Sequence, residues 1–302
     1  MKRLVVATLA SLSMVTGALA WDGARAYHLQ PEGSSDLSLT MTLLHAKSTI
    51  GGGLEATELD VGVLSPAYRH SFDLFGNAGT VLIGLPLGAV SFSTTSGLID
   101  AETDFAQGDM FVGGVWGLVG MPSLGVMDYV QHQPGFQASA AARLFLPTGE
   151  YDSTRSANLG LNRWSLQASL PMAYVLGDSM VDPNLTTFEI RPLVHIFGDN
   201  DDPFGGGGPS SKAPIFGVEG HITRNFGNSI WAGLDGYYEI GGENTVNGNP
   251  MNDELETLAL GATLGLVFSP SLAMRISYRE LVYSNVPDSS GRTFEVATAF
   301  LF

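Results

Sequence analysis

The chain has 302 residues, with 14 Lys and Arg against 30 Asp and Glu for a formal net charge of −16, and 0 Cys. The length suits one large domain, and the lack of cysteine excludes a disulfide framework. Such acidity argues against a nucleic-acid partner, because like charges repel.

The first twenty residues predict a secretory signal peptide. Lys2 and Arg3 form a positive region, residues 4–15 are nearly all apolar, and residues 18–20 read Ala-Leu-Ala, a small-x-small cleavage site. An uncleaved membrane anchor is the alternative, but the apolar run is shorter than the roughly 20 residues of a spanning helix. We expect residues 1–20 to be removed, so that the mature chain begins at Trp21.

Period-two alternation predicts about twelve strands after residue 35. The predicted strands cover residues 36–46, 55–70, 79–93, 109–120, 135–146, 162–176, 185–197, 213–226, 229–240, 254–268, 271–284 and 292–302. Their lengths suit tilted membrane strands, which need about 9–11 residues. Residues 21–35, ahead of the first strand, either fold inward as a plug or form a periplasmic tail.

The last ten residues show the clearest alternation. Phe294, Val296, Thr298, Phe300 and Phe302 share one face. The other face carries Thr293, Glu295, Ala297 and Ala299. An outer-membrane barrel often ends on an aromatic residue, because its last strand pairs with the first and faces lipid. The pattern predicts an all-β fold, a transmembrane antiparallel up-and-down β-barrel of about 12 strands over residues 36–302, with Phe302 as its assembly signal.

The connections between strands agree with this topology except at one point. With both termini on the periplasmic side, residues 94–108, 147–161 and 198–212 are long outer loops, and even-to-odd links are short turns. Residues 121–134 should be a turn but are long. This link contains a short periplasmic helix, or the strand register is wrong. A soluble sandwich would also alternate, but its apolar faces would meet in a core.

Twelve charged side chains alternate with apolar ones and are predicted to line the lumen. They are Arg143, Arg163, Glu189, Arg191, His195, Glu219, His221, Asp235, Glu239, Arg275, Arg279 and Glu295. Opposed charges across a narrow pore select solutes by charge and size. The alternative is an ion-pair network that fills a closed barrel, and the sequence leaves both open.

Three further features are ambiguous. At the loop 147–161, Asp152, Arg155, Asn158 and Arg163 constrict the mouth or touch a ligand, or alternatively the loop is a hairpin held by its own hydrogen bonds. The acidic run 199–202 resembles a calcium loop but lacks the EF-hand pattern, so we expect no metal site and no cofactor. Aromatic residues near strand ends predict interfacial girdles, or alternatively a lining for an apolar solute. These residues are Trp116, Trp164, Trp231, Tyr237, Tyr238, Tyr278 and Tyr283.

Several short blocks carry a family resemblance. Residues 146–152 read Leu-Pro-Thr-Gly-Glu-Tyr-Asp, followed by Asn-Leu-Gly at 158–160; residues 23–27, 197–201 and 241–245 contribute similar blocks. On these motifs the chain resembles a family of outer-membrane proteins named for a meta-pathway of phenol degradation. The resemblance implies a barrel that takes part in the transport of aromatic or apolar compounds, and it implies no catalytic residues.

These observations predict a passive channel for small organic solutes in the outer membrane of a Gram-negative bacterium. Its expected partners are outer-membrane lipid, the barrel-assembly machinery and a small organic solute. The alternatives are a structural or adhesive barrel without transport and, ranked below it, a lipid-modifying enzyme. We expect no enzyme, since the sequence has no G-x-S-x-G motif.

Overall fold

The computed structural model describes residues 21–50, 55–95, 100–206 and 208–302, and the predicted signal peptide lies outside them. Eighteen strands and one helix occur in this part of the chain. The strands are β1(Ser35–Ile50), β2(Glu55–Leu74), β3(Asn77–Gly84), β4(Leu87–Thr94), β5(Asp100–Gln107), β6(Phe111–Val119), β7(Phe136–Phe145), β8(Ser165–Ser169), β9(Met172–Leu176), β10(Thr186–Phe197), β11(Ser210–Lys212), β12(Ile215–Asn225), β13(Ile230–Gly241), β14(Asn244–Val246), β15(Asn249–Pro250), β16(Leu255–Ser269), β17(Leu272–Ser284) and β18(Ser290–Leu301), and the helix is α1(Val126–Gln131).

Fifteen of these strands form one closed antiparallel barrel with twelve strand positions. Three positions each consist of two short strands, which are β3 with β4, β5 with β6, and β8 with β9. Two of the breaks fall at Pro86 and Pro171, whose nitrogen has no hydrogen to donate to the ladder. The barrel closes where β1 pairs with β18, from Asp36 opposite Leu301 to Lys47 opposite Ser290. The predicted barrel of about twelve strands is confirmed.

The outward side chains form an apolar surface around the wall. Exposed large apolar residues include Leu37, Met41 and Leu43 on β1, Phe188 and Ile190 on β10, Leu260 and Leu264 on β16, and Phe294 and Phe300 on β18. Buried polar and charged residues occupy the alternate, inward positions. A barrel that is apolar outside and polar inside has the architecture of outer-membrane proteins, because lipid replaces water at its outer surface. The described helix is not long and apolar enough to cross a membrane.

The prediction of a long loop over residues 94–108 is wrong for most of that range. β5(Asp100–Gln107) occupies it and pairs with β4. The strand is irregular, because Thr103 is buried between the exposed Glu102 and Asp104, but Phe105 is exposed as well and a β-bulge opposite Gly88 and Val90 interrupts the alternation.

The long link 121–134 contains the helix α1 that the sequence offered as one explanation. Leu124 and Tyr129 pack against an apolar cluster of Leu29, Ala78, Met121 and Met180. The Glu32 N–H donates to the Leu124 carbonyl at 2.7 Å, so this link lies at the barrel end where β1 begins and β18 ends. We call the opposite end the outer end.

Two outer loops are joined by a small sheet of three strands in the order β11-β14-β15. A third loop, residues 147–161, folds into the barrel. Its Ala157 and Leu159 are buried in an apolar cluster with inward residues of β1, β2 and β4, among them Leu44, Val61 and Phe92. The outer end of the lumen is therefore partly filled by the chain itself.

Candidate functional site

Residues 21–34, which we call the N-terminal segment, lie inside the barrel. The carboxylate of Asp22 forms ion pairs with Arg143 of β7 and Arg191 of β10. The Tyr27 hydroxyl donates to the same carboxylate at 2.6 Å. One acidic side chain of the segment therefore joins two separate strands of the wall.

Backbone groups of the N-terminal segment are held by carboxylates of the wall. The Gly23 N–H donates to Oε1 of Glu219 at 2.7 Å, and the Arg25 N–H donates to Oε2 of Glu189 at 2.9 Å. Gly23 has φ 77°, and a Cβ there would lie 3.0 Å from Cζ of Arg275. Glycine suits this position because it accepts a positive φ and allows the close approach.

Two aromatic residues of β13 face the N-terminal segment. The guanidinium of Arg25 lies 4.4 Å from the ring centroid of Trp231, and the rings of Trp21 and Tyr237 meet edge to face at 5.1 Å. The prediction that Trp231 and Tyr237 belong to interfacial girdles is therefore wrong. Gly265, which faces Trp231 across the ladder, leaves room for its ring on the inner side.

Four more predicted girdle residues do lie outside. The side chains of Trp116, Trp164, Tyr278 and Tyr283 are exposed on the outer surface.

A second network connects β12, β13 and β16. His221 contacts Asp235 through Nδ1 at 2.6 Å and Glu219 through Nε2 at 3.0 Å. The Thr263 hydroxyl donates to the other oxygen of Asp235 at 2.6 Å. Glu219 also accepts from Arg191 at 2.8 Å, so this network is continuous with the one around Asp22.

The third group lies on β17 and β18. Arg275 pairs with Glu295 at 2.8 Å and donates to the Ala24 carbonyl at 3.2 Å. Arg279 is 3.9 Å from the other oxygen of Glu295. The N-terminal segment is thus contacted from β17 as well as from β7, β10 and β12.

The structure places eleven of the twelve predicted lumen residues on inward strand positions. The exception is Arg163. The sixth predicted strand starts at residue 162, whereas the corresponding strand β8 starts at Ser165, so Arg163 lies in the loop before it. Its Nη2 donates to the Ser210 hydroxyl of β11 at 3.3 Å. His195 and Glu239 lie nearer the outer end, where His195 contacts Ser165 at 2.9 Å and Glu239 accepts from Thr257 at 3.3 Å.

A cavity of about 390 Å³ runs beside the N-terminal segment. Three of the twelve predicted residues line it, namely Arg143, Arg275 and Glu295. Small and hydroxyl residues form much of its remaining wall, including Ser38, Thr40, Ala67, Thr80, Ala141, Ala297 and Ala299. Smaller spaces of about 20 Å³ and 90 Å³ lie against β10 and β12 and behind Trp21.

The inward loop 147–161 is held by its own hydrogen bonds. The side chain of Asn158 accepts from the Asp152 N–H at 2.9 Å and donates to the Asp152 and Arg155 carbonyls at 3.1 Å. Hydrogen bonds from Thr154 lower the pKa of Asp152. Asp109 joins the two ends of the loop, because it accepts from the N–H groups of Gly149 and Leu161 at 2.9 Å. This arrangement corresponds to the hairpin alternative.

Neither the acidic run 199–202 nor any other part of the described chain shows a group of three His, Cys, Asp or Glu residues that could hold a metal ion. The structure does show serine–histidine contacts that the sequence had not indicated, such as Ser35 with His70 at 2.9 Å. The contact of Ser165 with His195 is buried inside the barrel and lies between the rings of Phe145 and Phe197.

Sequence reasoning missed the residues that the N-terminal segment supplies. Asp22, Arg25 and His28 bind the wall, with His28 3.1 Å from Glu189, yet none lies in an alternating strand. One signal was available: Arg143 and Arg191 are inward cations at membrane depth, and such charges need a partner.

The sequence and the fold both match known proteins. The family model described as "Putative MetA-pathway of phenol degradation" matches residues 45–295. The COG4313 outer membrane channel from Pseudomonas putida F1 is 17% identical, with 93% of this chain and 100% of that chain covered and a TM-score of 0.76. No curated protein matches the sequence.

Autotransporter barrels are also similar in structure. The transport unit of AIDA-I from Escherichia coli is 10% identical, with 99% of each chain covered and a TM-score of 0.60. The translocator domain of NalP from Neisseria meningitidis is 10% identical, with 97% of this chain and 96% of that chain covered and a TM-score of 0.55. Identities this low show a common fold alone.

Proposed function

The chain belongs to the family described as "Putative MetA-pathway of phenol degradation", and from that premise we propose that it is an outer-membrane channel through which small organic solutes pass without an energy source. The observation that carries the proposal is the cavity of about 390 Å³ beside the N-terminal segment. Its volume lies in the range of about 300–1,000 Å³ typical of sites for small organic molecules.

The chemistry of the cavity wall favours solutes of mixed character. Most of its charged residues form ion pairs, namely Asp22 with Arg143, Asp36 with Arg69 and Glu295 with Arg275. Arg25 lies over the Trp231 ring, and its Nη2 has no hydrogen-bond partner among the described residues. A solute therefore meets alanine methyl groups and hydroxyls together with the Arg25 guanidinium and the Phe111 and Trp231 rings. Such a wall accepts a small aromatic molecule that carries a polar group. The phenol in the family's description agrees with this class.

A substitution in the cavity wall tests the route. Ala297 of β18 lines the cavity, whereas its neighbour Val296 alternates to the lipid face. In planar bilayers we expect Ala297→Trp to lower single-channel conductance by roughly twofold or more, because an indole narrows the passage. Val296→Trp is the matched control and should leave conductance unchanged. A conducting Ala297→Trp variant with wild-type conductance would mean that solutes take another route.

A structural or adhesive barrel is the second candidate, because ion pairs and an inward loop fill much of the interior. Correctly folded wild-type protein that conducts no ions and admits no solute into liposomes would favour this role. A lipid hydrolase is the weakest candidate, since the buried Ser165–His195 pair does not face lipid.

A further inference from the structure

One of the arginines that line the cavity differs from the others in its partners. Four arginines line the cavity of about 390 Å³, namely Arg25, Arg69, Arg143 and Arg275. The last three form ion pairs, in that order, with Asp36, Asp22 and Glu295. The guanidinium of Arg25 forms no ion pair with a carboxylate of the described chain, and its Nη2 has no hydrogen-bond partner there.

Neutral groups hold the Arg25 guanidinium in place. Its Nε donates to the Thr223 hydroxyl at 2.8 Å, and its Nη1 donates to the side-chain oxygen of Asn225 at 2.7 Å. The guanidinium also lies over the Trp231 ring, 4.4 Å from the centroid. Because these partners carry no charge, they fix the position of the cation without neutralising it. A cation held in this way loses little side-chain entropy when it binds an anion.

The backbone at Arg25 is fixed as well. Its φ is 63°, in the left-handed region that few residues other than glycine adopt. The Arg25 N–H donates to Glu189 at 2.9 Å. The carbonyl of the preceding residue, Ala24, accepts from Arg275 at 3.2 Å. A strained backbone persists only where its surroundings enforce it, and such residues cluster at binding sites.

The acidic groups near Arg25 are already engaged. Glu189 attracts the guanidinium through space, but its oxygens accept from the Arg25 backbone N–H and the Thr187 hydroxyl and lie 3.1 Å from Nε2 of His28. Glu189 does not line the cavity. Within the lining, three carboxylates are matched by three arginines, so Arg25 leaves one positive charge in excess.

We propose that Arg25 binds the carboxylate of a small aromatic acid in the cavity, and that it makes the channel prefer the anionic to the neutral form of such a solute. Alanine, serine and threonine side chains form much of the wall and leave room for the ring. One excess charge favours a monocarboxylate, because the second charge of a dicarboxylate or a phosphate meets no further unpaired arginine in the lining. The inference rests on the proposed function, since it names the charge of the solute that the channel takes up.

Benzoate and benzamide test this preference, because they have nearly the same shape and only benzoate is charged. Their binding to refolded, detergent-solubilised protein is measured by calorimetry at neutral pH. We expect benzoate to bind roughly tenfold more tightly, the effect of one hydrogen bond to a charged group. Arg25→Gln should weaken benzoate by about the same factor and change benzamide less than about twofold.

Arg224→Gln is the matched control. Arg224 lies between Thr223 and Asn225 in β12, but its side chain is exposed on the opposite face of the strand, so its replacement removes the same charge without altering the cavity. The affinity for benzoate should stay unchanged in this variant. Arg25→Lys keeps the charge but lacks the planar fork, and it should retain part of the preference for benzoate.

Equal affinity of the wild-type protein for benzoate and benzamide would overturn the site, even if Arg25→Gln failed to fold. Equal weakening of both ligands in a folded Arg25→Gln variant would also overturn it, because Arg25 would then only support the N-terminal segment. Conductance recorded in parallel separates the two proposals. Selective binding of benzoate without conductance would remove the channel and keep the site, whereas conductance without that selectivity would remove the site and keep the channel.

Discussion

Asp22→Asn should loosen the N-terminal segment while the barrel stays folded. The Asp22 side chain is 14% exposed, and it is the carboxylate paired with Arg143 in the described structure. Breaking a buried ion pair by removing one partner costs about 3–5 kcal/mol. Arg191 keeps Glu219 at 2.8 Å, so the lower end of that range applies. At 1.4 kcal/mol per factor of ten, ~3 kcal/mol corresponds to a roughly 100-fold increase in opening of the segment.

Hydrogen exchange measures that opening directly, because protection of an amide reports the free energy of the local opening that exposes it. The amides of Gly23 and Arg25, which bind Glu219 and Glu189, should lose about 100-fold of their protection. Glu32→Gln is the matched control, since Glu32 lies in the same segment, is exposed, and its carboxylate accepts a hydrogen bond only from the Ser123 hydroxyl in the part of the chain that the structure describes. If both amides in Asp22→Asn keep wild-type protection, the ion pairs at Asp22 do not hold the segment.

Two further outcomes are expected. Phe302→Asp should lower the heat-modifiable, folded fraction in outer membranes, because Phe302 is 74% exposed at the seam between first and last strands, and normal levels would contradict this. Arg275→Ala should shift reversal potentials toward cation selectivity, since it leaves the Glu295 carboxylate in the cavity without this partner; unchanged potentials would place the ion path elsewhere.

The barrel could be predicted because each strand carries its own evidence. In β18, Phe294 and Phe300 alternate with Thr293 and Glu295, and lipid and lumen sort these side chains without reference to distant residues. The same reasoning failed at β5, where the exposed side chains mix Glu102 and Asp104 with Phe105 and a β-bulge interrupts the alternation. Outside lipid, alternation no longer separates apolar from polar side chains, and the strand resembles a loop.

The position of the N-terminal segment could not be read from alternation at all. Its attachment depends on pairs between residues far apart in sequence, such as Asp22 with Arg191 and Gly23 with Glu219. A single sequence shows which inward charges need partners, but it does not show which segment supplies them. The inward loop 147–161 is similar, because its Leu159 becomes buried only against β1, β2 and β4.

The division of the lumen reconciles a charged interior with the aromatic solute that we propose. Charged residues of β10, β12 and β13, such as Glu189, Glu219 and Asp235, hold the N-terminal segment or one another. The opposite wall, on β1, β2 and β18, lines the cavity with small and hydroxyl residues, and its charges are paired, Asp36 with Arg69 and Glu295 with Arg275. Substitutions on the first wall should therefore change how tightly the segment is held, and substitutions on the second should change which solutes pass. A charge in the lumen is thus evidence about the solute only where no part of the chain already neutralises it.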